Sequence, residues 1–465
     1  MMLSLLNPFR GASDRRDRVG PSRLQVVAGI FFAIGLSANA GDRAVDADSA
    51  TAAAGAIFVQ PTEIQLTSAR DAMRILVSEP TAPSVFRDLS RQAEYRSSDT
   101  SVVVVDRGIA RPVGNGSAQV IVTVGAHHKT IPVTVSGAQQ SRPISFRYET
   151  LSVLTKQHCN SGGCHGAPSG KAGFRLSLFA FDPALDESTI IREELGRRTN
   201  RFDPAASLLL NKPLMKVPHG GGRQLKQDDA AYQVLHDWIA EGCQVDTHTA
   251  PRCERVEILP GDRVFQFPHV TQQLVVLAYF DDGNVRDVTG IVNYFSADET
   301  MATVTARGLV RGKAHGDTAI VVRYLEQIAA IRLTFIQPDA NFQWADPPEH
   351  NYLDKFVFAK LKKMQFNPSP VCSDAQFVRR VYLDTIGLLP TIAEAQDFVA
   401  DTSPDKRNEL VDRLLDRPEY AHFWATRWGD LLRAKNSTLH ETGVQKLHNW
   451  LVWAIETNLP YDKFV

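Results

Sequence analysis

One pattern occurs twice in this chain, about 200 residues apart, and it limits the fold more than any other feature. Arg87-Asp88-Leu89 is answered by Arg286-Asp287-Val288, Tyr95 by Tyr294, and Ser97 and Asp99 by Ser296 and Asp298. Arg107-Gly108 is answered by Arg307-Gly308, and Gly116 by Gly316. A repeat at that period means two copies of one domain with other material between them. From Ile57 to Val135 the chain runs in short β-type segments (64–66, 73–77, 102–105, 119–124, 130–135) separated by turn residues, with no room for a long amphipathic helix. Their alternation of buried-type and polar residues fits two antiparallel sheets packed face to face. The two copies are expected at 56–137 and 254–337, and His127, His128 and His315 are expected at their surfaces.

With 465 residues, 43% of them apolar, and a formal net charge of -1, the chain reads as an ordinary soluble protein of several domains. No basic field points to nucleic acid. Residues 1–40 read as a signal peptide: Arg10, Arg15, Arg16, Arg18 and Arg23 precede the apolar run 24–36, which closes on Ala38-Asn39-Ala40. That run is shorter than the roughly 20 residues a bilayer requires, so no stable membrane span is expected and the mature chain is placed in the periplasm or at the cell surface. Residues 41–55, mostly Ala, Asp, Gly and Ser, read as a linker.

Between the copies lies Cys159-Asn160-Ser161-Gly162-Gly163-Cys164-His165, two thiols and an imidazole within seven residues. Covalent haem attachment needs such a set: each thiol adds across a porphyrin vinyl group and the adjacent imidazole reaches the iron. The usual spacing has two residues between the cysteines; here there are four, and Gly162 and Gly163 are the residues best able to form the bulge. A structural zinc site using Cys159, Cys164 and His165 with His158 or His219, or a Cys159–Cys164 disulfide, are the alternatives. Met215 and His219 are the candidates for a sixth iron ligand, and an open sixth position is the third option. Cys243 and Cys253, near the two ends of the connection to the second copy, are expected to form a disulfide in an exported protein.

The run Gly173-Phe174-Arg175-Leu176-Ser177-Leu178-Phe179, the segment Ser207-Leu208-Leu209-Leu210, the turn Val217-Pro218-His219-Gly220-Gly221-Gly222 and the Trp-containing stretch 232–243 resemble, in that order, the cytochrome c-like domain of the planctomycete multi-domain cytochrome family. The resemblance covers about 148–245. It implies haem c, with Cys159 and Cys164 as thioether sites and His165 as proximal ligand. His219 is favoured over Met215 as distal ligand, because it stands where relatives with the narrower loop carry a Met-Pro-Pro segment. The two flanking copies resemble the bacterial immunoglobulin-like group 2 domain, which implies contact with the cell surface or polysaccharide.

After Pro338 the periodicity turns helical, with a capping box at Ser373 and Gln376 and a cap with first-turn proline at Ser403-Pro404. Five of the six tryptophans lie here (Trp344, Trp424, Trp428, Trp450, Trp453), and an aromatic helix-packed core is expected. Arg379-Arg380-Val381-Tyr382-Leu383-Asp384, Gly387-Leu388-Leu389-Pro390 and Arg427-Trp428-Gly429-Asp430 resemble the helical domain of unknown function that follows the cytochrome module in the same family. That domain is expected over 345–465, ending where the family continues. The whole reads as two all-β Ig-like sandwiches flanking an α-helical cytochrome c-like domain, followed by an all-α domain. Its expected function is single-electron transfer with an unidentified redox donor and acceptor; the alternative is a non-redox cell-surface or periplasmic interaction protein with a structural zinc.

Overall fold

The computed structural model describes residues 56–82 and 84–465. The expected signal peptide and the linker at 41–55 lie outside the described residues. The described chain divides between 368 and 369 into two compact units.

In the larger unit the sequence repeat is a repeat of topology. The first copy pairs Phe58–Gln60, Leu76–Ala82 and Val85–Asp88 in that order; the second pairs Cys253–Leu259, Val275–Phe280 and Val285–Asp287. The order Ile64–Leu66, His127–Val135, Gly116–Val124, Glu94–Ser97 recurs as Arg263–Gln266, Gln327–Ile336, Gly316–Tyr324, Asn293–Ser296. In both, the first strand of the set runs parallel to the second. The hydrogen bonds recur as well. Tyr95 donates its hydroxyl to Ser90 O at 2.7 Å and Tyr294 to Thr289 O at 3.0 Å. Behind each ring a glycine with φ of 75° is required, since a Cβ at Gly308 would stand 2.8 Å from the Tyr294 hydroxyl.

The copies also grip one another. Asp88 accepts from the Gln273 amide at 2.6 Å, and its counterpart Asp287 accepts from the Arg74 amide at 2.9 Å. Since Arg74 and Gln273 are equivalent positions of the repeat, each copy offers its carboxylate to the same place on the other. Val85 pairs with Val264, which joins three strands of the first copy to four of the second in one seven-stranded sheet. One apolar cluster then runs from Ile57 to Val135 and takes in Leu259, Val275 and Leu277 of the second copy.

This corrects the expected architecture of two separate all-β sandwiches flanking an α-helical domain. The sheets of the two copies are fused, and no all-α domain lies between them. Residues 146–240 hold a π-helical turn (Phe146–Thr150) leading into α1 (Leu151–Lys156), then α2 (Pro183–Glu187), α3 (Leu208–Asn211) and α4 (Ala230–Ala240), of which α4 alone reaches eleven residues. The rest is a second π-helical turn (Ser188–Arg192), 3₁₀ turns and loop, with His158, Ala172, Phe179, Ala180, Glu194, Leu195 and Met215 all in the left-handed region. Pro183 and Pro204 begin their helices at the first turn, left-handed His158 follows the end of α1, and Pro213 follows the end of α3 by two residues, so no helix before α4 runs beyond six residues. The core of this segment is continuous with the second copy: Phe146, Leu151, Leu154, Leu210 and Trp238 cluster with Phe265, Val276, Tyr324 and Phe335. The unit ends with α5 (Tyr352–Lys363), capped by Asn351 and Asp354.

The second unit is helical: α6 (Asp374–Ile386), α7 (Ile392–Ala400), α8 (Lys406–Leu415), α9 (Pro418–Leu431), α10 (Asn436–Glu456) and α11 (Tyr461–Phe464). The Ser373–Gln376 capping box starts α6, and Gly387 at φ 72° ends it. Val378, Tyr382, Phe398, Leu410, Leu414 and Trp424 form its core. Among the expected aromatic core residues Trp424 is buried, whereas Trp453 is half exposed.

The crossed carboxylates yield a prediction. Asp287→Ala leaves the Arg74 and Thr289 amides, which it now binds at 2.9 Å each, without their acceptor, and a loss of about 1–3 kcal/mol is expected. Urea denaturation of the full chain measures it; an unchanged first transition would show that the exchange contributes nothing.

Candidate haem site

A cavity of about 600 Å³ lies between α1, the 157–174 loop, α3 and the 217–225 turn. Its apolar wall is Leu154, Leu208, Leu209, Leu225 and Leu235, and Cys159, Cys164, His165 and His219 all line it. The structure therefore brings together four of the expected site residues. His219 lies 54 positions after His165 in sequence.

The attachment loop is built locally. His158 takes a left-handed conformation at φ 57°, which turns the chain out of α1, and the Cys159 amide donates back to Leu154 O at 3.0 Å. The His165 amide donates to Cys159 O at 2.9 Å, closing the loop on itself. Asn160, buried beneath it, donates its side-chain amide to Thr155 Oγ1 at 2.9 Å, and its carbonyl accepts from Phe179 N at 3.2 Å. The bulge does not use Gly162 and Gly163 as expected: neither has positive φ, and a Cβ on Gly163 would meet open space. The glycine the loop requires is Gly166, where a Cβ would fall 2.0 Å from Asn160 O.

Both imidazoles are held by main-chain carbonyls. His165 Nδ1 donates to Phe174 O at 3.0 Å, and His219 Nδ1 donates to Gly222 O at 2.8 Å. In the neutral ring that fixes the tautomer and leaves Nε2 of each with its lone pair. The two ring planes are inclined by only 13° with centroids 6.3 Å apart. Burial lowers the pKa of His165, against the carbonyl of Phe174, and His219 adds to the lowering. The neutral, ligating form is thus favoured. Burial also pushes the Cys159 thiol up to about 12, with Cys164 contributing in the same direction.

Met215, the other sixth-ligand candidate, is 43% exposed and is not among the residues lining the cavity. The expected Cys243–Cys253 disulfide is not formed. Both thiols are free and buried in separate surroundings, Cys243 against Thr199 and Arg201, and Cys253 donating to Arg255 O at 3.6 Å. Among the described residues no group of three or more His, Cys, Asp or Glu converges to hold a metal ion.

Three supports went unread in the sequence. Phe174 sits 4.5 Å from the His165 ring, and the Arg198 guanidinium lies 4.7 Å from the Phe174 centroid while donating to Thr189 O and Gly173 O. Asp186, fully buried, accepts from the amide and hydroxyl of Ser177 at 2.6 Å each, just before the segment whose Phe179 amide holds the attachment loop. The Gly173-Phe174-Arg175-Leu176 run is a local signal of Phe174 alone; nothing local marks Arg198 or Asp186.

Two outcomes follow from the supports. Gly166→Ala should destabilise the chain by about 1–3 kcal/mol, while Gly163→Ala stays within about 0.5 kcal/mol, measured by urea denaturation; equal effects would contradict the loop geometry. For Asp186, burial raises the folded pKa to about 6 although the Ser177 donors oppose it. Because that value lies above the unfolded one, its stabilisation is complete below about pH 4 and is lost as pH rises through about 6. Wild type should therefore lose up to roughly 3 kcal/mol relative to Asp186→Asn between pH 4 and pH 7. A pH-independent difference between the two proteins would refute this.

Residues 267–323 match the bacterial Ig-like domain (group 2), and residues 352–465 match a protein family of unknown function (DUF1549). No curated protein matches the chain. Solved structures similar to it include domains 5-6 of the S-layer protein SbsC, at 11% identity and TM-score 0.26, covering 62% of this chain and 100% of that one. Domains 4-9 of SbsC align at 12% identity and TM-score 0.25, covering 61% and 31%. The protocadherin GammaB4 extracellular domain aligns at 10% identity and TM-score 0.15, covering 61% and 34%. No helix of the described residues is long and apolar enough to cross a membrane. A bacterial Ig-like domain and a DUF1549 domain are therefore present in this chain.

Proposed function

We propose that this chain is an exported haem c protein that carries single electrons, with the fused β-regions as the frame of its haem cavity. The observation that carries the reading is the pair of near-parallel imidazoles, His165 and His219, 6.3 Å apart in a leucine-walled cavity that Cys159 and Cys164 also line. With each Nε2 turned toward a shared metal, two metal–nitrogen bonds of about 2 Å each, added to the two ring half-widths, come to about 6 Å, which matches the separation. The donor set fits the group too. A haem iron takes four nitrogens from its porphyrin and asks the protein for two, whereas a structural zinc asks for four converging side chains. Bound there, haem would supply a one-electron couple at iron.

The residues of the chain have distinct tasks. Cys159 and Cys164 would provide the thioethers and His165 and His219 the axial nitrogens. Phe174 O and Gly222 O keep each Nδ1 protonated, which orients the rings before any ligand arrives. The leucine wall excludes water and lowers the local dielectric, the condition under which a site holds its potential.

A second reading is a non-redox cell-surface or periplasmic interaction protein. It is supported by the bacterial Ig-like match at 267–323, since such modules more often position or adhere than catalyse. The two readings separate on a pyridine haemochrome spectrum of the full chain matured in a haem-ligating host. A haem c spectrum is expected, covalent haem should be lost in Cys159→Ser/Cys164→Ser, and the bis-imidazole spectrum should be lost in His219→Ala but kept in Met215→Ala. No haem band in the wild type would favour the second reading.

A further inference from the structure

Every charged side chain lining the cavity is a cation: Lys171, Arg197, Arg198 and Lys212 line it, and no Asp or Glu does. Arg198 is committed to structure, buried with its guanidinium bonded to the Thr189 and Gly173 carbonyls and seated over Phe174. The other three are exposed and stand around the mouth. Lys171 opens the turn whose far end, Phe174 O, holds His165, and its own amide donates to the same carbonyl at 2.9 Å. Arg197 adjoins Arg198. Lys212 donates to Pro218 O at 3.3 Å, one residue before His219. Among the described residues none of these three makes an ion pair. A ring of unpaired cations around an apolar cavity lined by no carboxylate is complementary to a ligand that is flat and apolar at its centre and anionic at its edge.

Resting on the haem reading above, we infer that Lys171, Arg197 and Lys212 bind the two propionate carboxylates of the tetrapyrrole, so that the cavity selects a dianionic macrocycle over a neutral one. Arginine binds a carboxylate through two parallel N–H donors and lysine as a point charge, so Arg197 fixes direction while the lysines supply field. Because the three are exposed, they would hold the propionates on the solvent side of the cavity.

The test titrates the haem-free full chain with haemin and with haemin dimethyl ester, whose propionates are neutral, following quenching of tryptophan fluorescence. Wild type should bind haemin at least about tenfold more tightly than the ester, the sum of three exposed charge pairs of ordinary strength. Lys171→Gln/Arg197→Gln/Lys212→Gln should bind haemin only as tightly as the ester, with its affinity for the ester unchanged. Equal wild-type affinity for the two porphyrins, or a triple variant that keeps the preference, overturns the role of the cations and leaves the haem reading standing. If neither porphyrin binds the wild type, both readings fall together.

Discussion

Residues 146–240 can bury their apolar side chains only because the second β-region supplies the opposing wall, and the candidate site depends on that sharing. Helices of four to six residues do not form alone, since nucleation costs more than so few bonds return. Here they are docked instead. Tyr148 stands edge-on to Phe280 with centroids 5.2 Å apart, its hydroxyl accepts from Cys253 N at 3.0 Å, and its carbonyl accepts from the Tyr324 hydroxyl at 2.8 Å. Ser152 donates to Ile291 O, and Lys156 donates to Gly290 O and Ala306 O. These bonds fix α1 on the sheet, and Cys159 follows α1 by three residues. Fully burying side chains such as Phe146 and Leu151 contributes about 1.5–3 kcal/mol each, far above what an isolated short helix supplies.

The sheet itself is held by the repeat. Two copies that exchange equivalent contacts behave like a symmetric dimer within one chain: whatever Asp88 does for the second copy, Asp287 does for the first. Both carboxylates are saturated in the same way, one oxygen serving their own copy through Ser90 or Thr289 and the other reaching across. A buried carboxylate is costly without donors, and burial does raise the pKa of Asp287. The donors come from both copies, so neither copy alone completes the set.

What the sequence made legible, and what it hid, divides by range of interaction. The β-segments, the repeat, the Ser373–Gln376 capping box and the Cys159–His165 cluster are local patterns, and each has a counterpart in the structure. The matching tyrosines and glycines were visible because one steric demand, a ring against a Cα, acts within fifteen residues. The fusion of the two copies was not legible: Val85–Val264 and the crossed carboxylates join positions about two hundred residues apart and leave no local mark. The central segment misled for the same reason. Its leucines have the spacing of helix faces, but the helices are short and separated by left-handed residues, and its core partners lie in distant strands. Gly166 was hidden because its requirement is a close approach to the Asn160 carbonyl, not a positive φ.

The geometry of the site follows from combining these two ranges. The ring orientations are set locally, since each histidine is held by a carbonyl three or nine residues further along the chain. The distance between the rings is set globally, by how the 157–174 loop and the 217–222 turn lie on the shared core. On the proposed reading such a pair would need little rearrangement to accept a ligand, because each ring is already fixed by its own carbonyl. A metal held by several side chains would instead require those chains to converge, and here Cys159, whose thiol burial holds protonated, and Cys164 line the cavity wall together with the two imidazoles. On the proposed reading, thiols on the wall and two imidazoles whose Nδ1 is already committed to a carbonyl would divide the labour, the first anchoring a planar ligand at its edge and the second ligating it at its centre.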